Sequence, residues 1–133
     1  MTETFKKLNF KFQTPILIVS APDTFVAEIA AMQTVTEIHP KPAKGTLYSF
    51  ALAFGATKAD IEKAARAIVG ILEEDAVLWF AYPKLTSKKY RSDLSREIMW
   101  EVLAPHGVRP VRQIAVDDDW SALRFRKGTL TRP

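Results

Sequence analysis

Apolar residues along this chain fall into two patterns. The blocks PILIVS (15–20), LYSFALAF (47–54) and AVLWFAY (76–82) are short and nearly unbroken, as in strands buried on both faces of a parallel sheet. Residues 34–38 alternate and carry β-branched side chains, which predicts a further strand between the first two blocks. Elsewhere apolar residues recur at helical spacing. Phe25, Ile29 and Met32 mark a helix over 24–32, and Ile61, Ala64, Ala65, Ile68 and Leu72 mark one after Thr57. Leu94, Ile98 and Val102 form a third stripe. Asp23 or Thr24 is placed to cap the first helix, Thr57-Lys58-Ala59-Asp60 the second, and Ser92 or Asp93 the third. Glu73, Glu74 and Asp75 should end the second helix in solvent, and Ala104-Pro105-His106-Gly107 should stop the third. Two last runs, 108–116 and 120–125, are joined by Asp117, Asp118 and Asp119 and predict an antiparallel hairpin. Residues 1–13, with Phe5, Leu8, Phe10 and Phe12 in partial alternation, read as a loosely held arm, and 128–133 as a frayed tail.

The resulting order, β-α-β-loop-β-α-β-α-β-β, is that of a three-layer α/β domain. Right-handed crossovers give a mostly parallel six-stranded sheet in the order 2-1-3-4-6-5, ending in the antiparallel hairpin. This Rossmann-like layout resembles a reduced class I methyltransferase core without a helix between the second and third strands. Open α/β sheets of this kind take their ligands beyond the carboxyl ends of the strands. That singles out the polar, basic segment 84–92, which follows the fourth strand and Pro83.

Composition narrows the picture. The chain of 133 residues, 47% hydrophobic and 26% charged, fits a single domain spanning 1–133. With no cysteine, disulfides, thiol chemistry and cysteine metal sites are excluded. MTETFKKLNFKF lacks the apolar centre of a leader peptide, and no apolar run is long enough to cross a bilayer. The expectation is a cytoplasmic protein with no membrane partner. The net charge of +4 is uneven: residues 1–83 hold 8 Lys/Arg and 9 Asp/Glu, residues 84–133 hold 11 and 6. A basic C-terminal third favours phosphate, nucleotide or nucleic-acid partners, and a merely solvated basic surface is the competing reading.

Candidate chemistry thins out quickly. The turn Ser20-Ala21-Pro22-Asp23-Thr24 carries no glycine, whereas a dinucleotide or S-adenosylmethionine turn after the first strand needs backbone that approaches the ligand at φ > 0. Glu37 lies near the place of a ribose-binding acid, but the strand runs on into Ile38-His39-Pro40. No phosphate-loop motif is present, and His39 and His106 stand alone, so no metal site is expected. The aspartate triplet reads as a solvated link. Ser87 with Lys84 or Lys88 lacks the motif of a serine nucleophile. What remains is the segment after Pro83. There Lys84, Ser87, Lys88 and Arg91, with Asp93 at a helix start, gather cations, a hydroxyl and free N–H groups suited to a small anion. Tyr82, Tyr90, Trp100 and Trp120 are candidates to line an adjoining cleft, and Trp79 belongs to the core.

The segments WFAYPKLTSKKYRSDLSREIMW and PVRQIAVDDDWSALRFRK resemble a domain-of-unknown-function family of short bacterial, methyltransferase-like Rossmann proteins. The shared positions are Tyr82-Pro83-Lys84, Ser87-Lys88, Asp93 and 117–125, within a resemblance that spans about 15–127. Members differ in having a glycine near Leu85 and Gly-Trp in place of Met99-Trp100. The resemblance implies the fold and singles out Lys84, Ser87, Asp93 and Trp120, and it implies no reaction. Three functions follow as expectations. The first is a non-catalytic or vestigial methyltransferase-like domain binding a small anion after strand four, with no cofactor. The second is an S-adenosylmethionine-dependent transferase with a remodelled pocket. The third is a homo-oligomeric interaction protein, such as a homodimer, meeting an acidic partner or nucleic acid.

Overall fold

The apolar blocks become adjacent strands. The computed structural model describes residues 1–128, so the expected tail at 128–133 lies, apart from Gly128, outside the described residues. In chain order the elements are α1 (Glu3–Lys7), β1 (Ile16–Val19), α2 (Val26–Met32), β2 (Ile38–His39), β3 (Tyr48–Phe54), α3 (Lys58–Ile68), β4 (Leu72–Pro83), α4 (Arg96–Leu103), β5 (Val108–Ala115) and β6 (Trp120–Lys127). The six strands form one sheet in the order 2-1-3-4-6-5, as the sequence predicts. β1 pairs in parallel with β2 and β3, and β3 pairs in parallel with β4. β6 runs antiparallel to both β4 and β5.

Two buried clusters cover the two faces of this sheet. On one, Ile61, Ala64, Ala65 and Ile68 of α3 and Met99 and Leu103 of α4 pack on Ala51, Leu78 and Phe80. On the other, Phe25 and Met32 join Phe50, Leu52, Val77 and Trp79. α3 starts as the sequence predicts: Thr57 Oγ1 accepts from the Asp60 N–H, and the Asp60 carboxylate accepts from the Thr57 N–H. Among the described residues, no helix is long and apolar enough to cross a membrane.

The N-terminal segment is not a loose arm. Thr2 caps α1, and Phe5, Leu8 and Phe10 are at most 1% exposed in the second cluster. The Phe5 and Phe10 rings lie 6.2 and 5.7 Å from that of Phe50. The buried Trp79 indole donates to the Leu8 carbonyl at 2.8 Å. Asn9 takes φ +61°, which turns the chain at the end of α1 and makes Leu8 and Phe10 read like strand alternation.

Four further expectations need correction. The strand expected at 34–38 is only Ile38–His39, because 33–36 are still turning off the end of α2, and Glu37 is the first residue whose backbone bonds across to the β1 side. Neither Asp23 nor Thr24 caps α2: a short 3-10 turn, Asp23–Phe25, precedes it without a side-chain cap. Glu73, Glu74 and Asp75 do not end α3 but form an exposed bulge inside β4. Two steps along β3, Tyr48 to Phe50, face five along β4, Leu72 to Val77, and Asp75 takes φ +59°. α4 is capped by Ser95, whose hydroxyl accepts from the Ile98 N–H, and not by Ser92 or Asp93. Its buried residues are Met99 and Leu103, while Ile98 and Val102 are half-buried beside them.

The packing of α1 has a measurable consequence. Phe5→Ala is expected to cost about 3–5 kcal/mol, the usual loss for a buried phenylalanine. Chemical denaturation would give that value, and a loss below about 0.5 kcal/mol, that of a surface change, would mean the segment is not part of the core.

Candidate functional site

The carboxyl ends of β1, β3 and β4 open on two adjoining cavities. The first lies where the strand order reverses, between β1 and β3. Its volume is about 430 Å³, and it is lined by Val19 and Ser20 at the end of β1, Phe54, Gly55 and Ala56 at the end of β3, Asp60 and Lys63 of α3, and Tyr90 and Trp120. The second, about 420 Å³, is lined by Lys84, Leu85, Ser87, Lys88, Tyr90, Arg91 and Ser92. Tyr90 is a wall of both.

The loop after β4 is shaped by three attachments. The Lys84 N–H donates to the Asp119 carbonyl at 2.8 Å, and the Ser87 N–H donates back to the Lys84 carbonyl at 3.0 Å. Ser87 Oγ donates to the Asp119 carboxylate at 2.8 Å and accepts from the Tyr90 N–H at 3.1 Å. Ser92 Oγ donates to the Ala56 carbonyl at 2.8 Å, tying the loop to the end of β3. The aspartate triplet is therefore not a solvated link. Asp117 accepts from the Asp119 and Trp120 N–H groups, Asp119 holds the loop, and only Asp118 is fully exposed.

The expected site residues sort clearly. Lys84, Ser87, Lys88 and Arg91 come together around one cavity. Among the described residues, Lys84, Lys88 and Arg91 form no ion pair. Ser87 gives its proton to Asp119, so it shapes the loop instead of donating to an anion, and it makes no pair with Lys84 or Lys88. Asp93 is exposed and borders neither cavity, and the α4 N-terminus lies beyond it at Ser95. Tyr90 and Trp120 do line the cleft, their rings 5.0 Å apart, and Trp120 meets Phe54 edge-on at 5.2 Å. Tyr82 faces a separate depression and accepts a hydrogen bond from Gln113, and Trp100 is 39% exposed on α4 beside Glu97 and Glu101. Among the described residues, no group of three or more His, Asp or Glu is placed to hold a metal ion.

Ser20, Gly55 and Lys63 line the cleft and Asp119 anchors its loop, and the sequence did not reveal any of these positions. Ser20 takes φ +60°, so this serine adopts the left-handed conformation usually left to glycine. Gly55 is required for space, since a Cβ there would lie 2.8 Å from Ile61 Cδ1 and 2.9 Å from Asp60 Cβ. Asp119 is 32 positions from Ser87, and no local pattern announces that pairing.

Comparisons with known proteins identify the fold. No protein-family model matches the chain, nor does any curated protein. Among solved structures, it is similar to the N-methyltransferase NodS from Bradyrhizobium japonicum WM9. The TM-score is 0.56 at 11% identity, over 87% of this chain and 86% of that one. An S-adenosylmethionine-dependent methyltransferase from Clostridium acetobutylicum ATCC 824 gives TM-score 0.59 at 7% identity, over 95% and 88%. The mitomycin 7-O-methyltransferase MmcR gives 0.62 at 10% identity, with 95% of this chain covering 53% of that one. The fold is that of the Rossmann-like methyltransferases.

The residues present meet the needs of S-adenosylmethionine only in part. Ser20 supplies the positive φ of the first turn without glycine. No carboxylate from β2 lines the cleft to receive ribose hydroxyls, and Glu37 is engaged with His39 instead. The Asp60 carboxylate is already committed to the Ala56 and Thr57 N–H groups.

Two outcomes test this geometry. Gly55→Ala is expected to destabilise the protein by about 1–3 kcal/mol through overpacking, read by chemical denaturation. An unchanged midpoint would show that α3 is free to move away. Burial raises the Tyr82 pKa, with Arg96 opposing the shift and Glu97 adding to it. A raised folded-state pKa means that the folded protein keeps its proton longer. The contribution of Tyr82 is therefore intact below the unfolded pKa of about 10 and is lost as pH rises beyond it. Tyr82→Phe should remove that part of the alkaline loss in denaturation midpoints measured from pH 8 to 11, and identical profiles would contradict it.

Proposed function

We propose that this protein is a non-catalytic, methyltransferase-like domain that binds a small anion in the loop after β4. The observation that carries the reading is the convergence of Lys84, Lys88 and Arg91 on one cavity at the carboxyl edge of the sheet, without ion-pair partners among the described residues. Three cations around one concave surface set up a positive potential that an anion relieves. Asp119 lies at the side of this basin, and its carboxylate is taken up by Ser87. The loop geometry that presents the cations is held by that pair and by Ser92 on Ala56.

A second reading is a transferase with a remodelled S-adenosylmethionine pocket. It is favoured by the left-handed Ser20 at the switch point and by the fold shared with an S-adenosylmethionine-dependent methyltransferase. The missing ribose carboxylate weighs against it.

A thermal-shift titration decides between them. Inorganic phosphate near 100 times its Kd should stabilise the protein by about 2.7 kcal/mol, a rise of several degrees. The double variant Lys84→Ala/Lys88→Ala should lose most of that rise while melting normally without ligand. A phosphate shift retained in the double variant would refute the placement, and a shift with S-adenosylmethionine alone would overturn the anion reading in favour of the second.

A further inference from the structure

We infer that the anion held after β4 is a nucleoside monophosphate, its base taking a hydrogen bond from the Trp120 indole while its phosphate meets Lys84, Lys88 and Arg91. The inference rests on the anion-binding reading above and adds the rest of the ligand. Its starting point is an unpaired donor. Trp120 is 4% exposed, and its Nε1–H is buried with no hydrogen-bond partner among the described residues. Trp79 shows the ordinary arrangement, its buried indole donating to Leu8. Buried polar groups nearly always find partners, so an orphan at the wall of a cleft points to a ligand atom that completes it. An indole N–H donates only, which requires an acceptor such as a ring nitrogen or carbonyl of a base.

The surroundings fit a flat ring. Phe54 and Tyr90 flank Trp120 at 5.2 and 5.0 Å, and Val19 and Ala64 extend the apolar wall. Tyr90 also borders the basic cavity, so a ligand that follows its ring from one cavity to the other passes from an aromatic surface to three cations. Nε1 has almost no accessible surface, so the ligand reaches it only by displacing a neighbour. The side chains around the Trp120 ring therefore shift when the base enters, while the Tyr90 backbone stays tied to Ser87.

Calorimetric titration of the full chain with AMP, UMP, ribose 5-phosphate and inorganic phosphate tests this. Both nucleotides should bind at least about tenfold more tightly than ribose 5-phosphate, which has the sugar and phosphate but no base to stack. Trp120→Phe keeps an aromatic side chain, smaller than the indole, and deletes the donor. It should weaken nucleotide binding by about three- to tenfold and leave ribose 5-phosphate unchanged. Nucleotides no tighter than ribose 5-phosphate would overturn the inference while the anion site stands, and that comparison uses the native protein if Trp120→Phe fails to fold. Full nucleotide affinity in a folded Trp120→Phe protein would overturn the role of the indole. Binding of none of the four compounds would remove both the anion site and its ligand.

Discussion

The structure depends on covering both faces of one strand. From Ala76 to Pro83, β4 is buried without interruption, so neither face can be left to solvent. One face is taken by α3 and α4. The other needs more apolar surface than the seven-residue α2 provides, and the N-terminal segment supplies it. That requirement explains why a five-residue helix, too short to persist alone, is fixed by its buried Phe5 and by Leu8 and Phe10 just after it. It also explains the Trp79 indole: a polar N–H in the middle of the sheet finds its acceptor where α1 ends, at Leu8.

The site is a by-product of how β4 stops. Pro83 cannot donate to a further ladder bond. Beyond it the chain is held from the side, by Asp119 at the hairpin and by Ala56 after β3. These anchors are backbone carbonyls and one carboxylate, so the lysines and the arginine of the loop are left unengaged. The acidic hairpin therefore does two things. It fixes the loop through Asp117 and Asp119, and it uses these carboxylates as acceptors for N–H and O–H groups, so that neither pairs with a lysine or arginine of the loop.

The sheet order, the parallel core and the hairpin were legible because β4 and its neighbours are almost purely apolar, and such blocks have few alternatives. The joint clustering of Lys84, Ser87, Lys88 and Arg91 was legible because they share one loop. What was hidden depends on partners distant in sequence or on backbone sign. The role of α1 was masked by Asn9, whose left-handed turn puts Leu8 and Phe10 on the core with strand-like spacing. The acidic bulge was read as a helix end because Glu73, Glu74 and Asp75 look alike in either setting. The cap of α4 fell three residues past Ser92 because that serine is drawn to Ala56. The absence of glycine after β1 suggested a different turn, yet Ser20 takes the left-handed conformation.

Local rules are broken in two regions, with different meanings. On the β5–β6 hairpin, Arg109 faces Arg126 and Arg112 faces Arg124, like charges directly across strands. Burial lowers the Arg124 pKa, and Arg126 and Arg112 lower it further. β5 is the sheet edge, and an edge strand carrying Arg109, Pro110 and Arg112 resists pairing with another strand. The strain there has a structural use and argues against a dimer built on that edge. At the switch point, a left-handed serine, a glycine with no room for a methyl group and an unpaired indole donor meet around one cleft. The glycine leaves the room that α3 needs, but the left-handed serine and the unpaired donor do nothing for the packing of the sheet. Strained turns and unpaired buried donors gather where function maintains them, and these two meet at the carboxyl edge of the sheet, beside the Tyr90 wall shared by the two described cavities.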